Sequence, residues 1–313
     1  MSYLILLFTA AIWGFAFVAQ RKGMESLDPF TFNTLRFTLG AATVWVIRFF
    51  NLSLNRSIAT KPQFSPPPMA SKYTSRDPVI LGILLFTAVS LQQVGLLWTS
   101  AGSAGFITGL YVVFVPLIGI ARRQKINRCI IMAVLMSVIG LALMNRSANI
   151  HATLGNFLVL LGAVFWALHV QAIDKLTSRH PSLDLALGQY TVCMFLSLLA
   201  SVVYQMIVPG DIGFYRGIWA DIKSALIPIA YAGVMSVGVA FTLQLHAQKK
   251  VQPHAAAVIL CLEGVFAMLG GILLLGEKVS WGSLLGAISL FGAMIITILS
   301  EHREFLIDKK HGR

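Results

Sequence analysis

Acidic residues are scarce in this chain. Twelve Asp and Glu stand against 24 Lys and Arg in 313 residues, and charged residues of both signs make up only 12%. A typical soluble domain carries about 25%. Hydrophobic residues make up 57% and the mean hydropathy is +0.79. A soluble core of this size has no room for so much apolar surface, so the composition implies a polytopic membrane protein. Cysteine is nearly missing too. Cys129, Cys193 and Cys261 lie in or beside apolar runs with no CxxC spacing, which supports neither a disulfide framework nor a metal site. The phosphate loop GxxxxGK[ST], the zinc pair HExxH and the elbow GxSxG do not occur. Their absence argues against an ATP-driven pump and against an enzyme, and no cofactor is expected. No Lys or Arg precedes the apolar run from Tyr3, so the basic n-region of a signal peptide is missing.

What the chain does have is long apolar runs. Ten can be drawn, at about 3–19, 29–50, 78–98, 103–121, 128–145, 154–173, 183–207, 224–246, 254–275 and 281–299. They are helix-length and lack the alternation of a membrane barrel, and only helices or closed barrels satisfy their backbone in lipid. The fold class expected is therefore all-α and integral to the membrane, with ten transmembrane helices. The net charge of +12 would suggest nucleic acid in a soluble protein. Here the basic residues gather between the runs, so a bilayer is expected as partner and nucleic acid is not. Sixteen Lys and Arg fall on the side holding both termini, among them Arg122, Arg123, Lys249 and Lys250, and six on the other. The positive-inside rule then puts both termini in the cytoplasm. The loop 51–77, with Pro62, Pro66, Pro67 and Pro68, has no apolar face and reads as a disordered connector.

The chain also repeats itself. Trp13 stands 23 residues before Arg36, and Trp166 stands 23 before Gln189. Residues 3–145 and 154–299 each hold five runs, followed by a charged tail at 300–313. Five is odd, so the second copy enters the membrane upside down, and inverted repeats with a site at their interface are a transporter architecture.

The strings AAIWGFAFVAQ near the start, TSAGSAGFITGLYVVFVPL at 99–117 and AQKKVQPHAAAVILCLEGVFAMLGGILLLGE at 247–277 resemble the drug/metabolite transporter superfamily, in its bacterial EamA-type branch. The resemblance implies a ten-helix inner-membrane carrier of small organic solutes, many of its members being exporters of amino acids and related metabolites. It also implies a central cavity lined by runs one, three, four, six, eight and nine. Where many relatives have Pro or Ser after the Glu, this chain has Gly264, which implies a less kinked ninth run.

Polar residues in the apolar runs are the candidate site. Glu263 sits near the middle of its run, roughly 14 Å and 18 Å from the ends at 1.5 Å per residue. Charge at that depth is costly and is retained for a job, so Glu263 is the candidate coupling or gating carboxylate. Its alternative is a structural lock or a direct substrate contact. Trp13 and Arg36 come at similar depth and suggest a cation–π pair that presents a guanidinium to an anionic cargo group. The alternative is an Arg36 that snorkels to headgroups. Trp166, Gln189 and Tyr190 form the second copy of that pattern, and His169 shares a helix face with Trp166. Gln92 and Gln93 answer to Gln244, amides that need either a wet cavity or a partner helix; Gln93 and Gln244 are taken as cavity residues. Thr108 and Tyr111 share a face, with Tyr111 the binding candidate. Gly105 with Gly109 and Gly282 with Gly286 read as close helix packing. The function expected is outward secondary transport of a small organic metabolite by alternating access. The rivals are an uptake carrier or exchanger, a membrane scaffold or receptor without flux, and a membrane enzyme. A homodimer is left open.

Overall fold

Apolar stretches with no polar partner in lipid satisfy their backbone by coiling on themselves, and this chain does so throughout. The structure, a computed structural model, describes residues 1–58, 76–99, 101–124, 126–144, 154–208, 217–275 and 280–310. Among the described residues there is no strand. In chain order the helices are α1 (Ser2–Gly23), α2 (Pro29–Ile58), α3 (Arg76–Gly95), α4 (Ala101–Gly109), α5 (Tyr111–Ala121), α6 (Arg128–Met144) and α7 (Leu154–Thr177). They continue with α8 (Ser182–Ile207), α9 (Ile218–Ser224), α10 (Leu226–Ala230), the π-helix π1 (Tyr231–Phe241), α11 (Thr242–Ala247), α12 (Pro253–Leu260), α13 (Glu263–Leu275) and α14 (Trp281–Lys310).

Seven stretches among the described residues are long and apolar enough to cross a membrane. They are α1, α3, Ala104–Ala121, α7, α8, Leu226–Ala247 and Pro253–Leu274. Arg128–Leu143 and Leu284–Ser300 are shorter apolar stretches. α2 carries Asn33, Arg36 and Arg48, which dilute its apolar run. The chain is a multi-pass membrane protein. Its outward faces are apolar, with Ile120, Leu199 and Ile288 exposed, as a lipid solvent requires. Four of the six Trp, namely Trp45, Trp98, Trp219 and Trp281, are exposed as well; Trp is favoured at the headgroup level.

The structure corrects several boundaries. α2 runs on to Ile58, into the stretch expected to be a loop, and residues 59–75 of that loop lie outside the described residues. The charged tail from residue 300 continues α14 as helix to Lys310. Three runs expected to be single helices are interrupted. The fourth breaks at Leu110, between α4 and α5, and the eighth contains π1. The ninth breaks at Cys261–Leu262 although Gly264 was expected to leave it straighter. At that break the backbone tightens to three-residue bonds, Leu262 N–H to Ile259 O and Gly264 N–H to Cys261 O. The tighter winding occurs with no proline in the break.

Glycines decide which helices touch. A Cβ on Gly14 of α1 would meet the Phe266 side chain, with Ala267 N at 2.6 Å and Glu263 O at 2.7 Å, so α1 and α13 lie backbone to backbone. Gly40 of α2 faces Val237, and Gly233 and Gly238 of π1 face Leu39 and Thr43. Gly140 of α6 meets Gly286 O, and Gly282 meets Leu143 O, which ties α6 to α14 through the pair read as packing glycines. Small residues at helix contacts are the membrane substitute for a hydrophobic driving force. Gly14→Ala is expected to lower the thermal unfolding midpoint in detergent, since overpacking costs about 1–3 kcal/mol. A midpoint equal to wild type would show that α1 yields there freely. Inside this frame α12 is the most enclosed element, with Ala255 through Leu262 all buried.

Candidate functional site

Between the broken helices lies a partly open cavity, whose empty space counted out into open solvent is about 520 Å³. Its walls come from α1, α3, α4–α5, α7, π1–α11 and α12–α13, with Arg36 reaching in from α2. Tyr111 and Glu263 each stand as the first residue after a helix break. Irregular backbone at membrane depth is tolerated where it lines a cavity or is buried in protein. The wall is aromatic. The Trp13 ring lies 4.6 Å from Phe241 and 6.4 Å from Trp166, and Trp166 stacks on Phe241 at 5.7 Å with a 16° interplanar angle. Both indoles are oriented by hydrogen bonds. Trp13 Nε1–H donates to Ser236 O at 3.3 Å. Trp166 Nε1–H donates to Gln92 Oε1 at 2.8 Å, which also accepts from Thr108 Oγ1 at 3.4 Å.

Arg36 and Glu263 share this cavity without forming an ion pair. Arg36 is buried, and its Nε and Nη2 have no hydrogen-bond partner. Its guanidinium lies over Phe37 at 5.2 Å and Phe32 at 5.9 Å. Glu263 is buried with its Oε1 unpartnered by strict geometry, and the Tyr111 hydroxyl lies beside its side chain, close enough to interact with it. The ion pairs among the described residues are Arg48 with Asp184 at 3.1 Å and His180 with Asp77 at 2.8 Å. A buried charge left unpaired is expensive, and Arg36 and Glu263 both stand on the wall of this one cavity.

The sequence profile of the EamA-like transporter family matches this chain twice, over residues 1–146 and 153–299. The chain belongs to the EamA-like transporter family. Its similarity to curated proteins agrees. It is 26% identical to an uncharacterized transporter of Archaeoglobus fulgidus over 295 residues, covering 94% of this chain and 84% of that one. It is 22% identical to the uncharacterized transporter YoaV of Bacillus subtilis, covering 88% and 89%. One solved crystal structure, 16% identical, superposes with a TM-score of 0.75 over 96% of this chain and 97% of that one, a likeness that shows the fold alone. The chain is a transporter and not an enzyme.

Of the residues that sequence reasoning chose, this EamA-like transporter brings Trp13, Arg36, Tyr111, Trp166, Gln244 and Glu263 to the cavity wall. The expected stacking of Arg36 on Trp13 gives way to Arg36 over Phe37 and Phe32, and Trp13 takes Phe241 and Trp166 instead. Gln93, His169, Gln189 and Tyr190 are fully buried away from that wall. His169 Nε2 bonds Gln189 Oε1 at 2.9 Å, and Tyr190 OH lies 3.2 Å from Thr242 Oγ1. Of the amide pair it is Gln92 that faces the cavity; neighbours on a helix point about 100° apart, and the sequence carries no rotation angle. Gln20, Thr108, Ser236 and Phe241 also line the wall. Thr108 was legible from its spacing to Tyr111. Phe241 gave no signal, being one of 20 Phe in the chain.

Beyond Val170, at the end of the bundle where Arg122 lies, a clasp joins α5 to α7. Gln171 Nε2–H donates to Val115 O at 2.9 Å and to Gln124 Oε1 at 3.0 Å. Gln124 Nε2–H returns a bond to Gln171 Oε1 at 3.2 Å, and Arg122 Nη1–H reaches Gln171 O at 3.3 Å. Gly119 leaves the space, since a Cβ there would sit 2.5 Å from Gln124 Oε1. Arg123 holds a left-handed φ of 62°, which turns the chain so that Gln124 N–H caps Gly119 O. Gln171→Ala strands Val115 O and the Gln124 amide. Its expected cost is about 1–3 kcal/mol of stability, read as a lower unfolding midpoint; an unchanged midpoint would mean the clasp holds nothing.

Proposed function

We propose that this chain is a secondary carrier in the cytoplasmic membrane that exports small organic metabolites bearing an acidic and a basic group, such as amino acids and related amphipathic compounds, by alternating access. The single observation that carries the reading is the aromatic cavity with Arg36 and Glu263 unpaired inside it. Arg36 takes the carboxylate, Glu263 the ammonium, and Trp13, Trp166 and Phe241 the apolar body. A scaffold without flux has no use for two unpaired charges at such depth. The bland alternative, a permanent lock at Glu263, would rest on the neighbouring Tyr111 hydroxyl, since no hydrogen bond to its Oε1 reaches strict geometry.

The same reading takes the architecture as ten spans in two inverted halves, 3–145 and 154–299. Three features support it. The family profile matches each half separately, the helix breaks precede Tyr111 and Glu263 at comparable places, and Trp13 and Trp166 meet across one cavity. Rocking of one half against the other about the cavity would expose it to each face in turn. Both termini then lie in the cytoplasm. A reporter active only outside the cytoplasm, fused after Arg313, is expected to stay silent, and a strong signal would reverse the orientation.

The test of function is ligand-induced stabilisation of the purified protein. Amino acids, nucleosides and quaternary ammonium compounds are screened by thermal shift, since a ligand at 100 times its Kd stabilises by about 2.7 kcal/mol. Zwitterions are expected to raise the midpoint. A shift with quaternary ammonium compounds and none with zwitterions would overturn the assignment of Arg36.

A further inference from the structure

Gln92 of α3 is a buried residue on the cavity wall, and its amide can stand only one way round. An indole N–H donates and cannot accept, so the atom that meets Trp166 Nε1 at 2.8 Å is the Gln92 carbonyl oxygen. Thr108 Oγ1 donates to the same oxygen at 3.4 Å. Both hydrogen bonds of this side chain fall on its acceptor, and its Nε2–H donors make none among the described residues. Spare acceptors on the same wall do not take them, since Gln20 Oε1, Gln244 Oε1 and Glu263 Oε1 have no partner by strict geometry. Nor is the nitrogen sealed in the fold. Gln93 Nε2, one residue on, is enclosed without a partner, and Gln92 Nε2 is not. It keeps open surface, and the opening that Gln92 lines is the cavity.

We infer that Gln92 is a specificity residue of the cargo site, whose amide N–H groups donate to an uncharged oxygen, a carboxamide carbonyl or a hydroxyl, on the cargo's side chain. The inference rests on the cavity being the cargo site, where Arg36 and Glu263 already take the two charged ends. A neutral donor tells an oxygen from a methyl group without adding a charge to the cavity. Its direction is held as well. The amide cannot turn its oxygen toward the cargo without stranding the Trp166 N–H, and a buried donor left unused is costly. Trp166 belongs to the aromatic wall itself, so the donor stands beside the surface that takes the apolar body. An apolar side chain packed there shuts water away from Nε2 and offers it nothing, whereas an oxygen uses it. A site built to hydrogen-bond a group rejects the analogue that lacks it far more strongly than an apolar pocket rejects a change in size.

The probes are L-asparagine and L-leucine, whose side chains share one branched outline and differ in ending in an amide or in methyl groups. Binding of each to the purified full chain is measured by isothermal titration, in wild type and in Gln92→Met. Methionine keeps the length of the side chain and leaves the Trp166 N–H a weak sulfur acceptor. Gln92→Met is expected to weaken L-asparagine binding roughly tenfold relative to L-leucine, about the loss of one such hydrogen bond. A Gln92 that only supports the fold would weaken both probes alike, and so would one that holds the cargo carboxylate. Equal losses, or no loss, therefore overturn the inference, as does a wild type that binds L-leucine and not L-asparagine. In each of those cases the proposed function stands, because a zwitterion still binds. Binding of neither probe to wild type removes the proposed function and the inference with it. Should Gln92→Met not fold, Trp166→Phe keeps a ring and frees the amide to turn over. It is expected to cut the preference for L-asparagine over L-leucine several-fold, and an unchanged preference overturns the inference equally.

Discussion

Arg36→Gln is expected to weaken binding of carboxylate-bearing cargo by roughly ten- to a hundredfold while raising the stability of the empty protein. The two effects have one cause. In the empty cavity the guanidinium is buried with Nε and Nη2 unpartnered and the faces of Phe37 and Phe32 beside it. Burying a charge without a partner is costly, and a neutral amide removes that cost. With cargo bound, the guanidinium makes charge-assisted hydrogen bonds worth about 1.5–3 kcal/mol, and about 1.4 kcal/mol is tenfold in affinity. Arg36→Lys is expected to fall between, because the point charge survives and the planar two-pronged geometry does not. Thermal unfolding with and without a zwitterionic ligand reads both effects. A variant that binds an anionic or zwitterionic cargo with wild-type affinity would show that Arg36 holds nothing but its neighbours.

Glu263→Gln is expected to abolish transport driven by a pH gradient while exchange of cargo for cargo persists at weakened affinity, since the amide oxygen still accepts a hydrogen bond from the ammonium but carries no charge. Glu263 opens α13 at the break in the ninth run, with Gly14 of α1 packed against its backbone oxygen and the Tyr111 hydroxyl beside its side chain. On the proposed alternating-access reading, a carboxyl group so placed holds a proton in one conformer and releases it in the other, because rocking about the cavity would change what faces it. Coupled to one proton, a gradient of one pH unit supplies about 1.36 kcal/mol, enough for about a tenfold accumulation. In proteoliposomes the variant should show none, with counterflow of labelled cargo persisting because exchange needs no net proton. Gradient-driven transport that survives in Glu263→Gln would remove Glu263 as the proton site. Failure of the variant to fold in the membrane would favour the structural lock.

The sequence by itself determined a great deal. The scarcity of charge and the apolar runs set the solvent, and the solvent set the secondary structure, since a backbone in hydrocarbon has only helix or barrel open to it. Charge depth then marked Arg36 and Glu263, because cost singles out a buried charge wherever it occurs. The Trp spacing marked Trp13 and Trp166, and all four came to one cavity.

What the sequence left open was rotation, local winding and who faces whom. Gln92 and Gln93 are equal as text, yet only Gln92 turns inward, because the rotation of α3 is set by its packing on α7 and α8. The break at Cys261–Leu262 has no proline to announce it, and π1 has no motif; close glycine contacts with α2 accompany the second. His169 and Gln189 were marked as site candidates, but their place off the cavity wall, beside Phe241 and Trp166, depends on rings such as Phe241, which composition makes invisible among the 20 Phe of the chain. Local sequence fixes what a residue costs in a given solvent, and tertiary packing alone decides which partner meets that cost.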